Sequence, residues 1–125
     1  MRKYKNQIDE RIKAFVIQVI KTTRILPEKP EFKVIKYQII KSASSVGANY
    51  REAQSAQSPN DNIHKLTIAL KEISETSYWL ELLESLIQES RSKNVTIGKL
   101  LNESIQLEKI LASIRNKKLL KNKQH

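Results

Sequence analysis

The sequence predicts an all-α protein, an antiparallel up-down-up-down four-helix bundle. The chain has 125 residues but only 2 glycines and 3 prolines, too few turn residues for a β-sandwich or an α/β fold. Apolar residues recur at steps of three and four, the spacing of amphipathic helices. The segments between these stretches are short, so consecutive helices should be antiparallel neighbours.

The first predicted helix covers residues 6–26 and the second covers residues 31–56. Pro27 ends the first helix, and Pro30 suits the start of the second because its missing N–H is not needed there. Each helix carries one apolar stripe: Ile8, Ile12, Phe15, Val16, Val19, Ile20 and Leu26 in the first, and Phe32, Ile35, Ile39, Ile40, Ala43, Val46 and Tyr50 in the second.

The third predicted helix covers residues 59–91. Ser58 can cap it, and Pro59 follows in the first turn, which together form a specific start signal. A seven-residue repeat predicts the seam that faces the other helices: Leu66, Ile73, Leu80 and Ile87.

The fourth predicted helix covers residues 96–115, with Asn94 or Thr96 as its cap. Residues 1–115 therefore form one bundle domain. Residues 116–125 are rich in lysine and poor in apolar residues, so we expect a basic, flexible tail.

Positive charge is concentrated at the two ends of the chain. The net charge of +10 divides into +8 for residues 1–51, −4 for residues 52–91 and +6 for residues 92–125. This pattern is typical of proteins that bind polyanions, nucleic acids above all. The candidate phosphate contacts lie on the first, second and fourth helices: Arg11, Lys13, Lys21, Arg24, Lys33, Lys36, Lys41, Arg51, Lys99, Lys109, Arg115, Lys117 and Lys118.

The third helix has more apolar surface than one seam requires. Seven of the ten residues in 78–87 are apolar or aromatic. Trp79, Leu82 and Leu86 point away from the seam, close to Ile68, which indicates a subunit interface. The alternative is that the first and fourth helices cover this face.

A polar stripe follows the second helix at Ser42, Ser45, Asn49 and Glu52. One interpretation is a polar layer that is hydrogen-bonded to the third helix; the alternative is a surface groove that presents Asn49 and Arg51 to a ligand. Gly47 lies within the stripe, and a glycine inside a helix indicates a close helix approach or a bend.

No residue pattern predicts catalysis, so the sequence predicts no enzyme, metal site or cofactor. The chain has no cysteine. His64 stands without a partner for a triad or a metal, and His125 is the last residue. Glu72 and Glu75 lie on adjacent turns, where carboxylates usually form a solvated helix face. No apolar run is long enough to cross a membrane, and we expect a cytoplasmic protein.

Two sequence blocks carry a family resemblance. Residues 44–53 read SSVGANYREA, and residues 68–83 contain IALKE followed by YWLELL. Together with Leu26, Pro27 and Phe32, they resemble the bacterial four-helix bundle family that is encoded within intervening sequences of large-subunit ribosomal RNA genes. The positions shared with that family are Ser45, Asn49, Arg51, Glu52, Glu72, Glu75 and Tyr78, with roles that look architectural.

The resemblance implies an antiparallel bundle that assembles as a ring-like homopentamer. It also implies kinship with the accessory variability proteins of diversity-generating retroelements, which are basic, bind nucleic acid and contact a reverse transcriptase. We therefore expect a non-enzymatic accessory protein that binds RNA or an RNA–DNA hybrid. The alternative is a protein-interaction scaffold whose basic face docks an acidic partner.

Overall fold

The described residues form four helices. The computed structural model describes the backbone of residues 2–87 and 91–123 and the side chains of residues 7–87 and 94–123. The described residues contain no strand, and the predicted all-α fold is confirmed. The helices are α1 (Arg2–Thr23), α2 (Pro30–Gln54), α3 (Pro59–Leu86) and α4 (Arg91–Lys123).

The helices pack in a closed square. α1 contacts α2 and α4, and α3 contacts the same two helices. Within the described ranges no Cα of α1 lies within 8 Å of a Cα of α3, so the two helices occupy opposite corners. Early residues of one helix meet late residues of the next, as when Asp9 of α1 pairs with Arg51 of α2. Consecutive helices are therefore antiparallel.

The predicted apolar stripes form the core. All four residues of the seven-residue repeat are buried, three within α3 and Ile87 at its C-cap, as are Ile12, Ile39 and Tyr50. α4 contributes Ile97, Leu107 and Leu111, each fully buried. Burying one such side chain contributes about 1.5–3 kcal/mol. No helix within the described ranges is long and apolar enough to span a bilayer.

α1 ends three residues before its predicted end. The hydroxyls of Thr22 and Thr23 donate to helix carbonyls at 2.7 and 2.6 Å, and the next residues tighten into a turn in which the Arg24 N–H donates to the Lys21 carbonyl. Leu26 is buried outside the helix. The chain therefore turns before Pro27 instead of at it.

The start of α3 agrees with the predicted signal, because the Asp61 N–H donates to Ser58 Oγ at 3.0 Å and Pro59 stands in the first turn. The helix ends at Leu86, before the predicted end at residue 91. Residues 88–90 lie outside the described residues, and Arg91 already belongs to α4.

α4 is longer than predicted at both ends. It begins at Arg91, so Asn94 and Thr96 lie inside the helix instead of capping it. It continues to Lys123, and residues 116–123 are helical where the sequence predicted a flexible tail. Lysine and leucine favour helices, and lysines suit a helix C-terminus. Asn122 Nδ2 also donates to Asn60 Oδ1 at 3.0 Å, which holds the last turn against α3.

Gly47 lies inside α2 at a position with room for a side chain. The helix runs unbroken through it, and no described glycine has a positive φ. A Cβ added at Gly47 would lie 3.6 Å from Ile12 Cγ2, an ordinary van der Waals distance. An alanine side chain would therefore fit at this position.

Candidate nucleic-acid interface

The three basic helices are neighbours in space, because α1 packs between α2 and α4. Most of the candidate phosphate contacts are exposed, and they have no carboxylate within ion-pair distance in the part of the chain that the structure describes. These are Lys13, Lys21 and Arg24 on α1, Lys33 and Lys41 on α2, and Lys99, Lys109 and Lys117 on α4.

Three of the candidates form ion pairs within the bundle. Arg11 of α1 donates twice to the carboxylate of Glu103 of α4, at 2.8 and 2.7 Å. Hydrogen bonding to Glu103 raises the pKa of Arg11 above its ordinary value. This bidentate pair ties α1 to α4. The guanidinium of Arg11 is therefore engaged in a contact between α1 and α4.

Arg51 and Lys36 are engaged as well. Arg51 of α2 donates to Asp9 of α1 at 2.7 and 3.3 Å, and this bonding raises the pKa of Arg51. Lys36 Nζ lies 3.2 Å from Glu28 Oε1. Such surface pairs contribute about 0–1 kcal/mol each, so a phosphate could still compete for them.

Arg115 and Lys118 are half-buried instead of fully exposed. Arg115 Nη2 donates to Asn116 Oδ1 at 3.4 Å. Lys118 lies at a cleft at the end of the bundle. Of these two side chains, only Lys118 lines the cleft.

The acidic helix forms few contacts with the cations of the basic helices, although Lys41 of α2 acts on Glu72 of α3 and lowers the pKa of that carboxyl. Within the described ranges, no carboxylate of α3 lies within ion-pair distance of a lysine or arginine. The ion pairs of those ranges instead use Asp9, Glu28, Glu52 and Glu103. α3 lies opposite α1, whereas it packs directly against α2 and α4.

The polar stripe of α2 divides into two kinds of contact. Ser42 Oγ lies 2.8 Å from Thr76 Oγ1 of α3 in the buried interior, and Glu52 pairs with Lys65 of α3 at 3.5 Å. Ser45 and Asn49 instead bond to each other within α2, because Asn49 Nδ2 donates to Ser45 O and Oγ at 2.9 and 3.0 Å.

A second buried hydroxyl pair joins α3 to α4. Ser77 Oγ lies 2.7 Å from Ser104 Oγ, directly after Thr76 on α3. Sequence reasoning missed this pair. A hydrogen bond between two serines on different helices can be predicted only when the register between the two helices is known.

The outer face of α3 is only partly covered. Trp79 and Leu82 pack against the core at its edge, and Ile68 is half-buried. Tyr78 is 53% exposed and stacks edge-on against Trp79 at 5.1 Å between ring centroids, while Leu86 is 49% exposed. In the described ranges α1 lies at the corner opposite α3, on the far side of the core. It therefore does not cover this outer face.

The described side chains form no group of His, Asp and Glu that could hold a metal ion. Burial raises the pKa of Glu72, and the adjacent carboxylate of Glu75 raises it further. Glu72 is half-buried and does not line the cleft at the end of the bundle.

Comparison with known proteins identifies the family. The family model of the 23S rRNA-intervening sequence protein matches residues 4–113, nearly the whole bundle. The chain belongs to this family. The match includes both sequence blocks that carry the resemblance and ends before the last turns of α4. The predicted family is thereby confirmed.

A solved relative of this rRNA-intervening sequence protein has the same fold. It is a protein of unknown function from the S23 ribosomal protein family of Bacteroides thetaiotaomicron VPI-5482, with a TM-score of 0.78 and 37% sequence identity. The alignment covers 90% of the present chain and 97% of the relative. No curated protein matches the chain.

Proposed function

We propose that this protein is a non-enzymatic, cytoplasmic RNA-binding accessory protein that acts as a basic homo-oligomer. One observation carries the proposal. The three basic helices lie side by side with their exposed lysines unpaired in the described ranges, while the acidic helix lies at the opposite corner. Such a surface binds phosphates, releases counterions and reads little sequence.

The described surface favours a structured RNA or a duplex over a single strand. Single-strand recognition relies on aromatic side chains that stack on bases. On the basic helices, Tyr50 and Phe32 are buried, and Tyr37 is 64% exposed. Phosphate contacts from lysines suit the backbone of a folded RNA better. An RNA–DNA hybrid presents a similar backbone and is therefore a second proposed ligand. A reverse transcriptase, which makes such hybrids, is accordingly a proposed partner.

Self-association would concentrate this charge. The exposed residues Tyr78 and Leu86 on the outer face of α3 support an interface, with Trp79, Leu82 and Ile68 at its edge. A homopentamer is the assembly that we propose. Light scattering on the full chain tests it, and a monomeric mass at working concentration would refute it.

Salt dependence tests the RNA-binding proposal. The affinity for a labelled RNA hairpin should fall steeply as salt increases, because each phosphate contact contributes about 0.7–0.9 to the slope of log K against log salt. The triple variant K13Q/K21Q/R24Q removes three exposed cations of α1 and should lower this slope by about 2.

The control for this experiment is Lys71→Gln, which removes an exposed lysine from the acidic helix. It should leave the slope unchanged. No binding at low salt, or equal effects of α1 and α3 substitutions, would contradict the proposal.

A protein-interaction scaffold is the second candidate, and the exposed apolar side chains of Val34 and Tyr37 favour it. Competition separates the two functions. Heparin should displace RNA from a surface that works through charge alone. A protein partner held by apolar contacts should resist displacement by either polyanion.

A further inference from the structure

Tyr37 is an exposed aromatic side chain on a basic helix. It lies on the outer side of α2 and is 64% exposed. On α1, α2 and α4 the other aromatic side chains that the structure describes, Phe15, Phe32 and Tyr50, are buried in the core. A single exposed aromatic residue is common on protein surfaces, so the surroundings of Tyr37 decide its role.

Two lysines flank Tyr37 along its own helix. Lys33 and Lys41 lie four residues before it and four residues after it, and side chains at this spacing are neighbours on one helix face. Both lysines are exposed, and neither has a carboxylate within ion-pair distance in the described ranges. The charge of Lys41 does lower the pKa of Glu72. The ring of Tyr37 therefore has a cation on each side.

The register between α1 and α2 shows what lies beside Tyr37 on the neighbouring helix. Asp9 pairs with Arg51, and a Cβ at Gly47 would contact Ile12. Residues of the two antiparallel helices whose numbers add to about 60 therefore lie side by side. Tyr37 is accordingly level with the end of α1.

The end of α1 adds two more cations, Lys21 and Arg24, both exposed and without a carboxylate at ion-pair distance in the described ranges. The acidic residues of this region are Glu28, which pairs with Lys36, and Glu31. Residues 21–41 carry six lysines and arginines against two glutamates, a net charge of +4. The charge around the ring of Tyr37 therefore complements a polyanion.

We infer that Tyr37 stacks on an unpaired base of a bound structured RNA, while Lys33 and Lys41 contact the phosphates on either side of that nucleotide. The inference rests on the proposed RNA-binding function. Bases in loops and bulges are recognised by stacking on aromatic side chains. Every base has a π face, so the contact accepts any base and needs only that the nucleotide is unpaired.

Two RNA duplexes that differ by one bulged nucleotide test the site, with fluorescence anisotropy on the full chain as the measurement. The bulged duplex should bind about tenfold more tightly than the paired one. Tyr37→Ala should remove this preference and leave the affinity for the paired duplex unchanged. It removes no charge, so the slope of log K against log salt should stay the same. The variant K33Q/K41Q should instead lower this slope by about 1.5 for both duplexes.

Two further variants separate stacking from a general apolar contact. Tyr37→Phe keeps the ring and should keep the preference for the bulged duplex. Tyr37→Leu keeps an apolar side chain without a ring and should lose that preference. The matched control is Val34→Ala, which trims an exposed apolar side chain three residues away on α2 and should change neither affinity.

A photo-crosslink locates the contact directly. A 5-iodouridine at the bulge should crosslink to Tyr37 on irradiation. Trypsin cleaves after Lys36 and Lys41, so the crosslink should appear on the peptide of residues 37–41. A 5-iodouridine in the paired stem should give no crosslink to this peptide.

Several outcomes overturn the inference. Equal affinities for the two duplexes that Tyr37→Ala does not change would refute the stacking contact, as would a bulge crosslink on a different peptide. A bulge preference that Tyr37→Leu keeps and Val34→Ala loses would show an apolar docking surface, of the kind that suits a protein segment. Equal binding of both duplexes refutes the site alone, whereas no binding of either duplex at low salt refutes the proposed function itself.

Discussion

Replacing Gly47 by alanine should stabilise the protein. Alanine is favoured over glycine by about 1 kcal/mol inside a helix. The new Cβ would meet Ile12 Cγ2 at 3.6 Å, so no clash offsets this gain. For a chain of this length, about 1 kcal/mol raises the melting temperature by about 4 °C. Thermal unfolding followed by circular dichroism at 222 nm measures the change.

The matched control lies one residue further along the same helix. Ala48 is exposed, and Ala48→Gly should lower stability by a similar amount through the same backbone effect. The double variant G47A/A48G keeps the glycine content and should melt close to the original protein. A lower melting temperature for Gly47→Ala would refute the reasoning, since it would mean that α1 and α2 approach more closely than the 3.6 Å contact shows.

Two further predictions concern the interior and the pH dependence. Ser77→Ala should lower the free energy of unfolding by about 1 kcal/mol. The double variant S77A/S104A should lose less than the sum of the two single variants, because the two hydroxyls bond to each other. Urea unfolding measures these losses, and additive losses would contradict the pairing. Glu72→Gln should stabilise the protein at neutral pH, because a carboxyl whose pKa is raised on folding lowers stability once ionised. This advantage should shrink as the pH falls through the raised pKa of Glu72, and an advantage that grows with acidity would show that the sign is wrong.

The sequence predicts most of the fold because apolar spacing is a local signal. The repeat from Leu66 to Ile87 identified the seam of α3, and Ser58 with Pro59 marked its start. The sequence placed both ends of α4 too far inside the helix, and for its C-terminal end there is a physical reason. Residues 116–123 lack an apolar stripe, and a contact with a distant residue, Asn122 to Asn60, helps to hold them.

The candidate surfaces were also predicted only in part. Charge counts alone indicated which helices are basic, but they could not show that Arg11 and Arg51 bind carboxylates of neighbouring helices. The cleft at the end of the bundle was missed entirely. Its lining residues come from the end of α2, the start of α3 and the last turns of α4, so the cleft appears only when three separate segments are brought together.

The diagonal placement of α1 and α3 has a consequence for how copies of this chain meet. The segment 52–91, which includes α3, carries −4, and the segment 1–51, which includes α1, carries +8. Two protomers that touch through the same corner bring like charges together and repel. Touching through opposite corners attracts them, and a head-to-tail contact of this kind, repeated from copy to copy, gives a ring where its rotation closes and an open filament where it does not. The attraction acts over about 10 Å at moderate salt, so a polyanion that covers α1 would compete with the next protomer for the same corner.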